Sequence, residues 1–442
     1  MSNTNARPTP PTNDGPDILD QALAALAKAL WRYRSEVALL VPVVVAFAAL
    51  ARELGIPAAA AAVGAVVGLL VVVPATRRAL YSFLASAYWR RRLETALRAL
   101  SKERFGARKF RVSRARRTSV GATALVHLPA GCAPNEVVAS AEHLASILRA
   151  REARLERDRK DASTLLLTVV TKDPFEREPL PPPWAAASHV DLFEALPIGV
   201  DELGREVEVT LAGHNVLAGG APGSGKSNLL QLFAAATALD PGATLYTLDP
   251  KVVELSRWRR VARGSAGPEV AEAVAVLQDV TEEMARRYAY LEAHGSRQLT
   301  REDGFGLVVV LVDEAMAYFS DPDKKAAAEF SSLLRALVAL GRAAGVVVVL
   351  ATQKPSTDVV ASSLRDNISI RVAFRMATRE ASDTVLGSGW AAKGVSASDI
   401  DPTTPGVCYL LGEGAVPGKL RCYYLSDTDL DAIAARTEAL RR

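Results

Sequence analysis

Apolar and polar positions change rhythm several times along the chain. Residues 1–20 are polar, broken by Pro8, Pro10, Pro11 and Pro16. They hold too little apolar surface to order themselves, so we expect a flexible tail. Ile18–Tyr33 has helical spacing. Two apolar runs follow, Val37–Ala51 and Ile56–Ala75, separated only by Arg52, Glu53, Leu54 and Gly55. A helix crosses the hydrocarbon core with about 20 residues. The second run is long enough, and the first reaches that length by borrowing from Leu30–Glu36 through tilt or snorkelling. The pattern therefore predicts a membrane anchor over 21–76, a transmembrane helical hairpin at about 37–51 and 56–75; two buried core helices are the plainer alternative.

Beyond the hairpin, 77–117 reads as a basic juxtamembrane helix and linker, turning strand-like at its end. Residues 118–178 alternate strand, helix, strand, which predicts a small α/β domain. Glu178-Pro-Leu-Pro-Pro-Pro-Trp184 is stiff, so 179–190 reads as a proline-rich linker. From 191 to 425 short apolar runs alternate with helical spacing, the pattern of an α/β domain with a parallel sheet. Residues 426–442 read as a C-terminal tail.

Charge sharpens this picture. The chain has 53 basic and 49 acidic residues, a net +4 that demands no nucleic-acid partner. The distribution says more: residues 77–117 carry 14 basic residues against Glu94 and Glu103 alone. Such a run suits anionic lipid headgroups or a phosphate backbone, and both remain open. Arg32 and Arg34 precede the hairpin and Arg77, Arg78, Arg90, Arg91 and Arg92 follow it, which places both ends, and the bulk of the chain, on the cytoplasmic side of a cell membrane. A mean hydropathy of +0.12 also points to a membrane segment. Cys132, Cys408 and Cys422 form no C-x-x-C pair and the five histidines are scattered, which argues against a disulfide framework, a cysteine zinc site or a histidine metal centre.

The chemistry lies in the longest domain. Gly220-Ala221-Pro222-Gly223-Ser224-Gly225-Lys226-Ser227 fits G-x-x-x-x-G-K-[ST], a phosphate-binding loop. Its glycines let the backbone curl so that N–H groups face phosphate oxygens. Lys226 carries a charge to the β- and γ-phosphates, and the Ser227 hydroxyl ligates Mg²⁺. A strand-like Asn215–Gly219 precedes it and a helical stretch from Asn228 follows, so the helix N-terminus is aimed at the anion. Leu307–Asp313-Glu314 reads as a central strand delivering two carboxylates to the sheet edge, Asp313 for Mg²⁺ and Glu314 as general base. A third strand, Gly345–Gln353, brings Gln353 beside the γ-phosphate to orient water or sense the phosphate.

Together these residues resemble the motor domain of the FtsK/SpoIIIE family, membrane-anchored bacterial DNA translocases. Leu248-Asp-Pro-Lys-Val-Val-Glu-Leu255 resembles the family's D-P-K-x-x-E-L segment, and Glu283-Met-Ala-Arg-Arg-Tyr288 its E-M-x-x-R-Y helix. Gly345–Pro355, Ser363–Ile368, Arg371–Phe374 and Asp383–Gly387 follow the family order, while 118–172 looks like its α subdomain. The resemblance implies a RecA-like P-loop fold that uses ATP and Mg²⁺ in a homo-oligomer, a hexameric ring threaded by double-stranded DNA. It also implies an arginine finger from the neighbouring subunit: Arg371 is our candidate, with Arg375 and Arg342 as alternatives. We find no direction-reading winged helix, no long low-complexity linker and one hairpin in place of four membrane helices. That plan leads us to expect conjugative transfer of a plasmid or integrative element, ahead of chromosome segregation in cell division. A protein-secretion ATPase of the same superfamily and a nucleotide switch on the membrane remain competing readings.

Overall fold

Helices form where apolar residues recur every third or fourth position, and strands where they alternate or run together. The computed structural model describes residues 34–158, 161, 163–176, 178–353, 362–412 and 414–440. The tail at 1–20 and the Ile18–Tyr33 stretch lie outside the described residues. The chain divides into two units, Met1–Lys172 and Asp173–Arg442.

In the first unit, the apolar hairpin gives helices α1 (Arg34–Leu54) and α2 (Ile56–Val72), joined at Gly55, whose φ of +81° turns the chain. The run read as Ile56–Ala75 is not one helix. α2 stops at Val72, Val73 is extended, and Pro74, with no N–H to donate, opens α3 (Pro74–Arg104). Among the described residues no helix is long and apolar enough to cross a membrane.

The basic stretch after the hairpin belongs to a folded domain. Trp89, Leu93, Ala96, Leu97 and Leu100 repeat at helical spacing on α3 and are buried against a sheet. That sheet has four antiparallel strands in the order β1-β2-β4-β3: β1 (Arg111–Arg117), β2 (Gly121–His127), β3 (Glu152–Arg157) and β4 (Thr164–Val170). Between β2 and β3 lie α4 (Pro134–Val138) and α5 (Ala141–Leu148). Val112, Ala122, Ala124, Val126, Leu165, Leu167 and Val169 alternate inward, so one face is apolar and helix-covered. Sequence reading took β1 as the strand-like end of a linker and did not single out β3, because polar and charged residues hold the outward positions of both.

The second unit is a ten-stranded sheet in the order β6-β5-β14-β13-β12-β7-β11-β10-β8-β9. Its strands are β5 (Leu196–Asp201), β6 (Glu206–Val209), β7 (Val216–Gly219), β8 (Thr244–Leu248), β9 (Gly264–Ala266), β10 (Val308–Val312), β11 (Val346–Thr352), β12 (Ile370–Phe374), β13 (Val407–Leu411) and β14 (Gly418–Cys422). Six of them, β12 to β9 in that order, are parallel. The remaining four extend the sheet antiparallel from β12, so it is mixed, not parallel throughout. One face carries α6 (Lys226–Leu239), buried over nearly its whole length; the other carries α7 (Val270–His294) and, after the short α8 (Met316–Phe319), α9 (Lys324–Leu340). Beyond β11 come α10 (Ser362–Arg365) and α11 (Arg379–Leu386). The segment read as a C-terminal tail contains helix α12 (Asp427–Leu440), whose Leu430 and Ile433 enter the same core as α6.

The Glu283–Tyr288 segment has a structural task. Glu283 accepts from Arg287 at 2.7 Å and from Arg286 at 2.7 and 2.8 Å, while Arg287 also donates to the Ala344 carbonyl at 3.0 Å. Burial pushes the Glu283 carboxyl up, but these guanidinium hydrogen bonds outweigh it and hold it below its ordinary value. A depressed folded value means that the pair's contribution is present above the ordinary carboxylate range and is lost as pH falls from there through the lowered folded value. Arg287→Met leaves this carboxylate with Arg286 alone and the Ala344 carbonyl without its side-chain donor, and we expect a loss of about 1–3 kcal/mol at pH 7. A urea midpoint equal to wild type would refute the assignment.

Candidate nucleotide site

Strand order places the site. β7 ends in the loop 220–225, and β11 lies between β7 and β10, with Thr352 opposite Gly219 and Leu350 opposite Val312. Three strand ends therefore open side by side at the carboxyl edge of the parallel sheet, where such folds bind ligands.

The loop is shaped by close contact. Gly225 has φ +109°, and a Cβ there would lie 2.7 Å from the backbone of Gly406. Gly220 meets Ser224 Oγ and Phe374 at 2.6 and 2.7 Å in the same sense, so both positions exclude a side chain. The Ala221 N–H donates to the Arg375 carbonyl (2.9 Å), and the Gly406 N–H donates to the Ser224 carbonyl (2.9 Å). Gly223, at φ +70°, has open space around it. Lys226 and Ser227 are the first two residues of α6, so their side chains start at the helix N-terminus.

Lys226 is only 4% exposed; its Nζ lies 3.5 Å from Asp313 Oδ1 and 3.7 Å from Glu314 Oε2. Burial pushes the Asp313 carboxyl above its ordinary value, against the pull of Lys226 and Lys251. Among the described residues, two buried atoms of the site, Ser224 Oγ and Asp313 Oδ2, have no hydrogen-bond partner. Orphaned buried polar atoms beside a curled loop are what a cradle for a polar ligand leaves behind. The donor set fits a magnesium nucleotide: Ser227 and Asp313 would hold the cation and Lys226 the phosphates. Among the described residues no group of three or more His, Cys, Asp or Glu side chains could hold a metal by itself. A cation here would complete its shell from phosphate and water.

Glu314 sits in a strained backbone, φ +50°. Its carboxylate accepts from Thr352 Oγ1 (3.1 Å) and from the Gln353 N–H (3.1 Å to Oε2). Gln353 is thus tied to the site through its main chain, and residues 354–361 lie outside the described residues.

Arg371 is placed elsewhere. It pairs with Leu217, back from the loop, and donates to the carbonyls of Ile368 (3.1 Å) and Arg365 (3.0 Å). Burial and the nearby Arg365 push its guanidinium below its ordinary value. With Arg342, Asp366, Asn367 and Trp390 it lines a polar cavity of about 420 Å³. Arg375 follows β12 directly beside the phosphate loop, through the carbonyl contact above. In this chain none of the three donates a hydrogen bond to the carboxylates of Asp313 or Glu314.

Residues 187–392 match the FtsK/SpoIIIE family. They form an FtsK/SpoIIIE domain. Among curated relatives, the DNA translocase FtsK of Halalkalibacterium halodurans is 28% identical over 333 residues, 69% of this chain and 40% of that protein. The FtsK of Caldanaerobacter subterraneus subsp. tengcongensis is 32% identical over 219 residues, 47% of this chain and 30% of its own length. The chain thus spans about 40% of the length of the first of these relatives. Among solved structures, the pCW3 conjugation coupling protein TcpA, in monomer form with ATPγS, superposes with a TM-score of 0.52 at 18% identity, covering 80% of this chain and 99% of TcpA. That likeness is one of fold.

The phosphate loop, Asp313 and Glu314 lie together, and Gln353 meets them through its main-chain N–H, where the sequence reading expected its side-chain amide. The domain adds residues that sequence reading left without a role. Asp249, 3% exposed, accepts from the N–H groups of Lys251, Val252 and Leu255, and Lys251 Nζ reaches within 3.9 Å of Glu314 Oε2. The signal for them was the D-P-K segment at the end of β8. Lys226→Ala is expected to weaken binding of a fluorescent ATP analogue at least tenfold. Gly225→Ala should do the same, because its Cβ displaces Gly406 and the loop. Equilibrium titration checks both, and undiminished binding in either would unseat the cradle.

Proposed function

We propose that this chain is a membrane-anchored, ATP-driven translocase of double-stranded DNA. The observation that carries the reading is the phosphate loop with its orphaned Ser224 and Asp313 oxygens, set within an FtsK/SpoIIIE domain.

Each residue has a physical task in ATP hydrolysis. The loop N–H groups and Lys226 bind and orient the triphosphate, and Ser227 and Asp313 hold the cation. Mg²⁺ there neutralises phosphate charge. Glu314 takes the proton of the attacking water, and Gln353 reports on that carboxylate through its main-chain N–H. The subunit works in a ring of identical copies, a hexamer, in which Arg371 of one copy serves the neighbour's phosphates; Arg375 and Arg342 are the alternatives. DNA is gripped by its phosphate backbone, so binding tolerates any sequence.

The anchor rests on the apolar composition of 37–51 and 56–75 and on the arginines that flank them, which put the motor on the cytoplasmic side of the bacterial membrane. Conjugative transfer of a plasmid or integrative element is favoured over chromosome segregation. The support is the overall plan shared with a conjugation coupling protein, nearly all of whose chain is matched.

Lys226→Ala and Asp313→Ala are expected to abolish ATP turnover while leaving the protein in the membrane fraction. Glu314→Gln should lower turnover about 10²–10⁴-fold and trap ATP. Duplex DNA of random sequence should stimulate the wild-type ATPase, with the logarithm of its affinity falling linearly against log salt at about 0.9 per phosphate contacted. No stimulation by DNA would favour a nucleotide switch, and stimulation by a protein substrate instead would favour secretion.

A further inference from the structure

Glu314 has a neighbour that the reaction scheme above does not use. Lys251 lies in the turn after β8, and its side chain, 44% exposed, leans to 3.9 Å from Glu314 Oε2 instead of extending into solvent. The turn is built to hold it there. One buried carboxylate, Asp249, gathers the N–H groups of Lys251, Val252 and Leu255 at 2.9–3.1 Å. The residue after Lys251, Val252, adopts φ +55°, a conformation that a β-branched side chain rarely takes. Glu314, on the other side of the contact, is also in left-handed backbone. Two strained residues thus frame a single ion pair, and strain held at such a place marks function more often than packing.

The charges explain what the pair is for. In this structure Glu314 faces two cations, Lys226 at 3.7 Å and Lys251 at 3.9 Å. Lys226 is the group that a bound phosphate recruits, and once engaged it no longer serves the carboxylates. Glu314 then keeps one cation. We propose that Lys251 is a positioning residue: it holds the Glu314 carboxylate in its reacting orientation while Lys226 is occupied by phosphate. Thr352 and the Gln353 N–H complete that hold as neutral donors.

This role rests on the ATPase reading, and full-length wild type, Lys251→Met and Lys251→Arg separate the two. Lys251→Met is expected to lower kcat at least tenfold with KM for ATP and equilibrium affinity for a fluorescent ATP analogue within about threefold of wild type. Lys251→Arg, which keeps the charge, should recover most of the rate. Chromatography of nucleotide retained after incubation with ATP should find ATP on Lys251→Met and ADP on wild type. The double variant Lys251→Met/Glu314→Gln should be no slower than Glu314→Gln alone. Unchanged kcat in Lys251→Met, no recovery in Lys251→Arg, or a loss of affinity parallel to the loss of rate overturns the role of Lys251 alone. A wild-type chain that turns over no ATP overturns the hydrolytic reading and this role with it.

Discussion

The second unit depends on charge balance in a place that excludes water. Lys226 and Asp313 are both nearly inaccessible and meet at 3.5 Å. Two unit charges 4 Å apart attract by about 4 kcal/mol at an effective dielectric near 20. Taking each out of water costs several kcal/mol. The two terms are of similar size, so the pair adds little net stability. That near-cancellation suits a site that must exchange partners. A phosphate can draw Lys226 away at small cost, while Asp313, already lifted above the ordinary carboxylate value by burial, gains from a cation.

Sheet order turns this local balance into a shared one. Because β11 lies between the loop strand and the acidic strand, its last residues land on Glu314, so the carboxylate is held by main-chain geometry as well as by charge. The same intercalation makes β10 and β11 central and buried on both faces, which is why both are built mainly of consecutive valines and leucines. Sequence pattern, strand position and chemistry here share one cause.

Much of this was legible because motifs and burial coincide. Lys226, Ser227, Asp313 and Glu314 lie at strand ends or a helix start, where spacing fixes their direction. The parts that escaped have physical reasons too. The four antiparallel strands at one edge are short, such as Glu206–Val209, and their direction is fixed only by pairing with other strands. The small α/β domain begins earlier than the expected residue 118, since the arginines of β1 hide the inward Val112 and Ala115. Pro74, which divides the second apolar run, was visible but outweighed by the length of that run. Lys251 could not be placed from spacing, because its reach depends on a turn shaped by Asp249 and Val252.

The contact between Gly225 and Gly406 has a consequence for how such a chain tolerates change. The Gly406 N–H supports the Ser224 carbonyl, and the two backbones approach too closely for any side chain at 225. The approach to β13 is therefore keyed to the curl of the loop and cannot lengthen without lifting it. The turn between β13 and β14 has free space around Gly412 and Gly414. Evolution can insert residues there at little cost, while the stretch ending at Gly406 must keep its length.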